Sequence, residues 1–236
     1  MPSKNSRKQY LPESYYHIYN RGVERRKIFY SAQDYSVFLS YIKEYLTPKN
    51  EKEILAKLTD SSTKSVEKDS LLRSLRMNNF SNDIQLIAYC LMPNHFHFLM
   101  YQKTESAIDT FMNSFGSRYT RYVNKNRKRV GTLYQDVYKS VLISSEEQLL
   151  HLTRYIHRNP LNLTSKDEVL QGIALENAFM NQPSSYPEYV SKRNTPWIHP
   201  EEILARFSHT NPNLSYESFA KEQEVNEIIY KAAIDL

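Results

Sequence analysis

The 236-residue chain has one cysteine, four glycines and one tryptophan. Its lone thiol, Cys90, can form no internal disulfide and supports no cysteine-rich zinc site, so a reducing, cytoplasmic setting is expected. Four glycines leave no glycine-rich loop to cradle a phosphate. No apolar run approaches the roughly 20 residues that span a bilayer, so no membrane partner is expected. The basic start, Met1 to Lys8, is not followed by an apolar segment, and no signal peptide is expected.

Apolar residues make up 40% of the chain, enough for a substantial core. Lysine and arginine number 31 against 26 acidic residues, a net charge of +5 that favours an anionic partner such as nucleic acid. With 19 tyrosines, no tyrosine is singled out by rarity. Position has to select one.

Tyr15 to Tyr19 reads as a first strand ending at Asn20-Arg21-Gly22. Asp34 to Tyr45 reads as a helix, with Tyr35, Phe38, Leu39, Ile42 and Tyr45 on one stripe. A polar stretch at about 47–83, with short helix-like pieces, reads as an insertion. Ile84 to Leu91 and His95 to Tyr101 are two strands joined at Pro93-Asn94. Ser106, with Asp109 three residues on, opens a long helix, and Gly131 ends the pattern. Tyr138 to Ile143 is a fourth strand. Ser144 to Glu147 then caps a last helix, with Glu147 at the capping-box position. That helix runs to Asn159, where Pro160 stops it. The order β-α-β-β-α-β predicts an α+β fold, a ferredoxin-like antiparallel sheet with helices on one face. The expected boundaries are a catalytic domain at 13–165, carrying the 47–83 insertion, and a partly helical extension at 166–236.

The pair His95 and His97 lies in the strand-like run Leu91 to Met100. Strand side chains alternate, so both imidazoles share a face while Phe96 and Phe98 take the other. Two imidazoles on a rigid strand are half of a divalent-metal site, although two hydrogen-bonded histidines would give the same spacing. In the last helix His151, Tyr155 and Asn159 are four apart and share a face. Leu149, Leu152 and Ile156 form the neighbouring apolar stripe. The helix can thus bring a phenol and an amide oxygen toward the histidines. Two imidazoles with the Asn159 oxygen suit Mg²⁺ or Mn²⁺ better than a structural zinc. A metal there would polarise a phosphodiester for attack by Tyr155, whose phenol is a weak nucleophile unaided.

Several segments carry a family resemblance. They are Tyr16 to Gly22 with Ile28 to Tyr30, Ala88 to His97, Gly131 to Lys139, Arg154 to Pro160, and Ser184 to Tyr186 with Tyr189. In this order they resemble the REP-associated tyrosine transposases, a branch of the single-tyrosine HUH transposases of bacterial insertion sequences. The resemblance covers roughly Tyr15 to Tyr189. It implies an HUH endonuclease that cleaves and rejoins single-stranded or hairpin DNA with Mg²⁺ or Mn²⁺ during DNA transposition. It also implies a transient 5′-phosphotyrosine and a free 3′-hydroxyl. Carried over, His95 and His97 are metal ligands, Tyr155 is the nucleophile and Asn159 is the third ligand. Insertion-sequence relatives are dimers that exchange the tyrosine helix, so a homodimer is one arrangement the resemblance allows. The 47–83 insertion is longer than the family pattern, and Gln182-Pro183 stands where a tryptophan is often found.

Two basic groups are candidates for the DNA backbone: Arg21, Arg25 and Arg26 after the first strand, and Arg118, Arg121, Lys125, Arg127, Lys128 and Arg129 at the end of the long helix. A solvated helix end would look the same. Two other readings stay open: a non-catalytic binder of hairpin DNA or structured RNA with the same fold, and a phosphodiesterase that uses water as nucleophile.

Overall fold

The computed structural model describes residues 8–163 and 179–222. The parts of the expected extension at 166–178 and 223–236, and the boundary near residue 165, lie outside the described residues.

Four strands form one antiparallel sheet in the order β2-β3-β1-β4. These are β1 (Ser14–Arg21), β2 (Ile84–Met92), β3 (His95–Gln102) and β4 (Lys139–Ile143). Two long helices, α1 (Ala32–Leu46) and α4 (Ala107–Asn126), form the crossovers. They cover one face, where Phe38, Ile42, Phe111, Phe115 and Tyr119 pack on Ile18, Phe96 and Phe98. The expected fold is therefore present, with both crossover helices on one side.

The opposite face is covered as well. Helix α5 (Glu146–Arg158) lays Leu149, Leu152 and Ile156 on Ala88, Cys90, Met92 and Leu99. Strand β2 explains why both faces need cover: in Ile-Gln-Leu-Ile-Ala-Tyr-Cys-Leu-Met only Gln85 is exposed. A near-continuous apolar run is what a strand buried on both sides requires. A bulge between Leu86 and Ala88 turns Ile87 to the α5 layer along with Ala88.

The 47–83 insertion contains two helices, α2 (Glu51–Thr59) and α3 (Ser65–Arg76), which contribute no buried residues. The C-terminal residues 179–222 add a third contribution to the α5 layer through Phe179, Tyr186, Tyr189, Ile203 and Tyr216. They also cover the outer edge of β2. Leu91 N–H donates to Pro183 O, Ser185 N–H donates to Tyr89 O, and Ile198 bridges Leu86. An exposed strand edge is thereby closed. Among the described residues no helix is long and apolar enough to cross a membrane.

Two capping expectations are corrected. Ser106 adopts a helical conformation and makes no side-chain cap, while Asp109 accepts from Tyr138 at 2.8 Å and from Asn113 at 3.2 Å. At α5 the cap is Ser145, one residue later than expected, and no reciprocal box forms. Ser145 accepts from Gln148 N–H, and the Gln148 side chain reaches back to Ser144 N–H.

Candidate active site

The β2–β3 turn fixes the first histidine. Pro93 O accepts from Ile28 N–H and Phe29 N–H, and Asn94 O accepts from Gly22 N–H. The chain after β1 thus clamps the turn from below. Gly22 has no alternative here, since a Cβ would lie 2.1 Å from Arg26 O. Asn94 Oδ1 is 2.7 Å from His95 Nδ1, which leaves His95 Nε2 facing away from the turn.

His95 and His97 share a face as the strand period requires, with ring centroids 5.0 Å apart and planes at 88°. Phe96 and Phe98 enter the opposite core. Helix α5 then places Tyr155 over the pair, its ring 5.5 Å from that of His97. Asn159 follows one turn later. It keeps helical angles (φ −49°, ψ −39°) although the following proline disfavours them. Its Nδ2 donates to Tyr155 O at 3.1 Å, and its Oδ1 lies 3.5 Å from His95 Nε2. His95, His97, Tyr155 and Asn159 therefore meet within a single chain. His151 does not join them. It sits against Arg154, 2.8 Å from the guanidinium, and near the Phe219 ring.

The sequence pattern did not single out His17. This residue is fully buried on β1, and its Nε2 is 2.9 Å from His97 Nδ1. The strand register makes Tyr19, not His17, the direct partner of His97. His17 is a diagonal neighbour on the same face, within reach of a long side chain. The period-2 pattern Tyr15-His17-Tyr19 was the available signal, but it does not say which strand lies beside it.

The site is low in charge. Burial holds the pKa of His97 well below the ordinary imidazole value, and the neighbouring His17 and His95 lower it further. Burial also lowers that of His95, against a raising hydrogen bond from Asn159. Burial raises the Tyr155 phenol above its usual value, against a lowering influence of the nearby Asn159 side chain. The imidazoles are thus neutral and can offer lone pairs, while the phenol keeps its proton. Two atoms stand out: His97 Nε2 and the Tyr155 hydroxyl are both buried with no hydrogen-bond partner. Such groups are costly, and each orphan in a native fold calls for an explanation.

On α5 itself, His157 is bonded on both sides, to Tyr216 at 2.6 Å and to Ser185 at 2.8 Å. Burial lowers its pKa to about 3. It ties the helix to the C-terminal segment and does not face the pair.

A cleft of about 260 Å³ opens beside the histidines, lined by Arg21, Arg25, Asn94, Asp136 and Lys139 among others. Arg21 donates to Gln135 at 2.5 Å, and Arg26 pairs with Glu24 outside the cleft. The long helix divides its basic residues in the same way. Arg118 is held by Glu44 at 2.7 Å and lies over the Tyr41 ring, while Arg127 is held by the buried Asp34 at 3.1 Å. Arg121, Lys125 and Arg129 line a second, larger groove. Lys128, at φ 50°, forms the turn after the helix.

Residues 46–159 match the family model described as "Transposase IS200 like". This stretch, just under half of the chain, is similar to the IS200-like transposases. It contains His95, His97, Tyr155 and Asn159, and it stops short of His17 on its N-terminal side. No curated protein matches the chain. Among solved structures, the fold matches a REP-associated tyrosine transposase bound to a REP hairpin, with 10% identity and a TM-score of 0.50. That match covers 94% of this chain and 99% of the other. A tRNA(His) guanylyltransferase from Saccharomyces cerevisiae is 14% identical over 80% of this chain and 82% of its own, at a TM-score of 0.32. That superposition is too loose to bear on the site.

Proposed function

We propose that the chain is a single-stranded DNA endonuclease and strand transferase of the REP-associated type, with Tyr155 as nucleophile. The observation that carries this reading is the pair of orphaned polar atoms on facing elements, His97 Nε2 and the Tyr155 hydroxyl. Both would gain partners when a phosphate and a cation enter between β3 and α5.

The donor set fits a divalent cation of the Mg²⁺ or Mn²⁺ type. Among the described residues no cluster of three His, Cys, Asp or Glu side chains is placed for a metal. Asn159 Oδ1, 3.5 Å from His95 Nε2, is an amide oxygen placed to serve as third protein donor alongside His95 and His97. These three would hold the ion, and the chemistry it supplies when bound is polarisation of a phosphodiester oxygen. His17 holds the His97 ring through Nδ1 and keeps Nε2 directed into the site.

Tyr155 then forms an O–P bond as the P–O3′ bond breaks. The phenolic proton is lost, and the departing oxygen gains one to become a free 3′-hydroxyl. Rejoining is the reverse: a 3′-hydroxyl attacks the phosphotyrosine and Tyr155 recovers its proton. The bond energy is conserved throughout, so no nucleotide cofactor is required. Burial, which raises the phenol's pKa, keeps Tyr155 unreactive until the phosphate arrives. A hairpin-flanked single strand is the expected substrate; the solved structural neighbour is bound to a REP hairpin.

A labelled hairpin with single-stranded flanks should give, with Mg²⁺ or Mn²⁺, a covalent protein–DNA adduct on a denaturing gel. Tyr155→Phe should reduce the adduct to background while hairpin binding persists. Cleavage without adduct, unchanged in Tyr155→Phe, would instead identify water as the nucleophile. Among the described residues no carboxylate is grouped with the histidines as a ligand, which favours one competing reading, a hairpin binder that does not cut. Tight binding indifferent to metal, with no cleavage of any strand, would establish it.

A further inference from the structure

The 47–83 insertion places two arginines where they extend a path leading from the histidines. Three clefts lie in sequence. The first holds His95 and His97, and shares Asn20, Gln135, Asp136 and Val137 with the groove of about 880 Å³ along α4. That groove shares Arg121 with a third cleft of about 660 Å³ between α4 and α3. The third cleft is lined by Arg73 and Arg76 of the insertion and by Arg118 and Arg121 of α4.

Its charge is not balanced locally. Glu44 is the acidic residue lining the cleft, and it is engaged by Arg118. Arg73, Arg76 and Arg121 are exposed, and none has an ion pair among the described residues. The wall is nevertheless built, not loose. Lys49 donates to Ser74 O and Met77 O at the end of α3, Asn79 donates to Thr47 O, and Arg118 stacks on Tyr41. The middle groove carries unmet polar atoms of its own, Arg129 Nη1 and the Tyr134 hydroxyl, both buried without a partner. Clustered guanidinium groups without acidic partners suit a row of phosphates, which they bind in bidentate fashion.

We infer that α3 of the insertion forms a second backbone-binding cleft, which holds DNA continuing from the cleavage site along the α4 groove. The inference rests on the nuclease reading for its substrate, but it concerns binding and not the reaction. An α-helix of 20 residues spans about 30 Å, so the path accommodates several nucleotides beyond those at the histidines. The ligand is the sugar–phosphate backbone, because the α3 cleft offers cations and no row of stacking rings.

The test compares the wild-type chain with Arg73→Ala/Arg76→Ala and with Arg73→Glu/Arg76→Glu. Both positions are exposed, and circular dichroism should show unchanged folding. The probes are a short hairpin and the same hairpin lengthened by stem and flanks, followed by fluorescence anisotropy across a salt series. The slope of log K against log salt for the long probe should fall by about 1.8 in the alanine pair, at about 0.9 for each phosphate no longer neutralised. Affinity for the long probe should drop more than tenfold in the glutamate pair. Affinity for the short probe and its adduct yield should stay at wild-type level. Equal slopes for wild type and both variants on the long probe would overturn the inference while leaving the nuclease reading intact. If the wild type binds neither probe, the nuclease reading fails first.

Discussion

At the scale of single residues, the site depends on one hydrogen bond that spacing could not reveal. His95 and His97 were legible because they are one residue apart on one strand. Tyr155 and Asn159 were legible because they are four apart on one helix. His17 was not, because its link to His97 depends on β1 lying beside β3, which no local pattern encodes. The hydrogen bond has a specific consequence. With Nδ1 engaged, the His97 lone pair at Nε2 is presented to the site in a fixed orientation. His17→Phe fills the buried volume but leaves Nδ1 free, so the ring can turn and present the wrong nitrogen. Mn²⁺ affinity, read by electron paramagnetic resonance titration, is expected to fall by about 10–100-fold, with folding retained. Adduct formation should recover in part at raised Mn²⁺. An unchanged Mn²⁺ affinity would show that His17 does not position His97.

At the scale of elements, basic charge was read correctly in amount and incompletely in role. Sequence cannot separate an arginine that binds a ligand from one that staples two helices, because the partner is remote. Arg127 is of the second kind: with Tyr122 it closes on Asp34, which also accepts from the Tyr30 and Ser31 amides at the start of α1. One carboxylate thus caps α1 and ties it to the C-terminal end of α4. Burial alone would raise its pKa, but the donors from Tyr30, Tyr122 and Arg127 outweigh burial and lower it. A carboxylate with a depressed folded pKa stabilises fully above its unfolded value, near 4, and loses that contribution as pH falls through the folded value. Asp34→Asn puts an amide donor among four donors, and it should cost about 1.5–3 kcal/mol at pH 7 in urea unfolding. Below about pH 3 the gap between the two proteins should narrow. A gap independent of pH would mean that the carboxylate's charge contributes nothing. The insertion was legible in kind and not in extent. Its polar composition hid the lengths and not the presence of its helix-like pieces: α2 and α3 are longer than those pieces, because short amphipathic helices with a cap at Asn50 suffice when nothing has to be buried.

At the scale of the whole molecule, the sheet is buried on both faces, and the second face is the one that does the proposed chemistry. The alternation rule anticipates one dry face and one wet face. β2 breaks it with an unbroken apolar run, and the cover for that run comes from α5 together with residues 179–222, the latter well outside the family match at 46–159. Helix α5 is held from both sides. Leu149, Leu152 and Ile156 face the sheet, while Arg154 and Arg158 reach the end of the short helix α6 (Tyr216–Lys221). Arg158 caps that helix by donating to Ala220 O, Lys221 O and Glu222 O. Tyr155 therefore sits on a helix whose position depends on the C-terminal segment. Removing residues 179–236 would expose Ile87 and Cys90, strip the edge of β2 and leave His157 without Ser185 and Tyr216. The side chains of Phe179, Tyr186, Tyr189, Ile203 and Tyr216 each contribute about 1.5–3 kcal/mol through burial, together about 7–15 kcal/mol. That equals the entire net stability of an ordinary domain, about 5–15 kcal/mol. A chain ending at residue 163 retains every proposed ligand and the nucleophile, yet it should lose its near-ultraviolet circular dichroism, bind a hydrophobic dye and form no DNA adduct. A truncated chain that keeps a sharp unfolding transition and wild-type adduct yield would show that the family segment with β1 and α1 is a self-sufficient nuclease. The C-terminal layer would then serve some purpose other than holding α5 over the histidines.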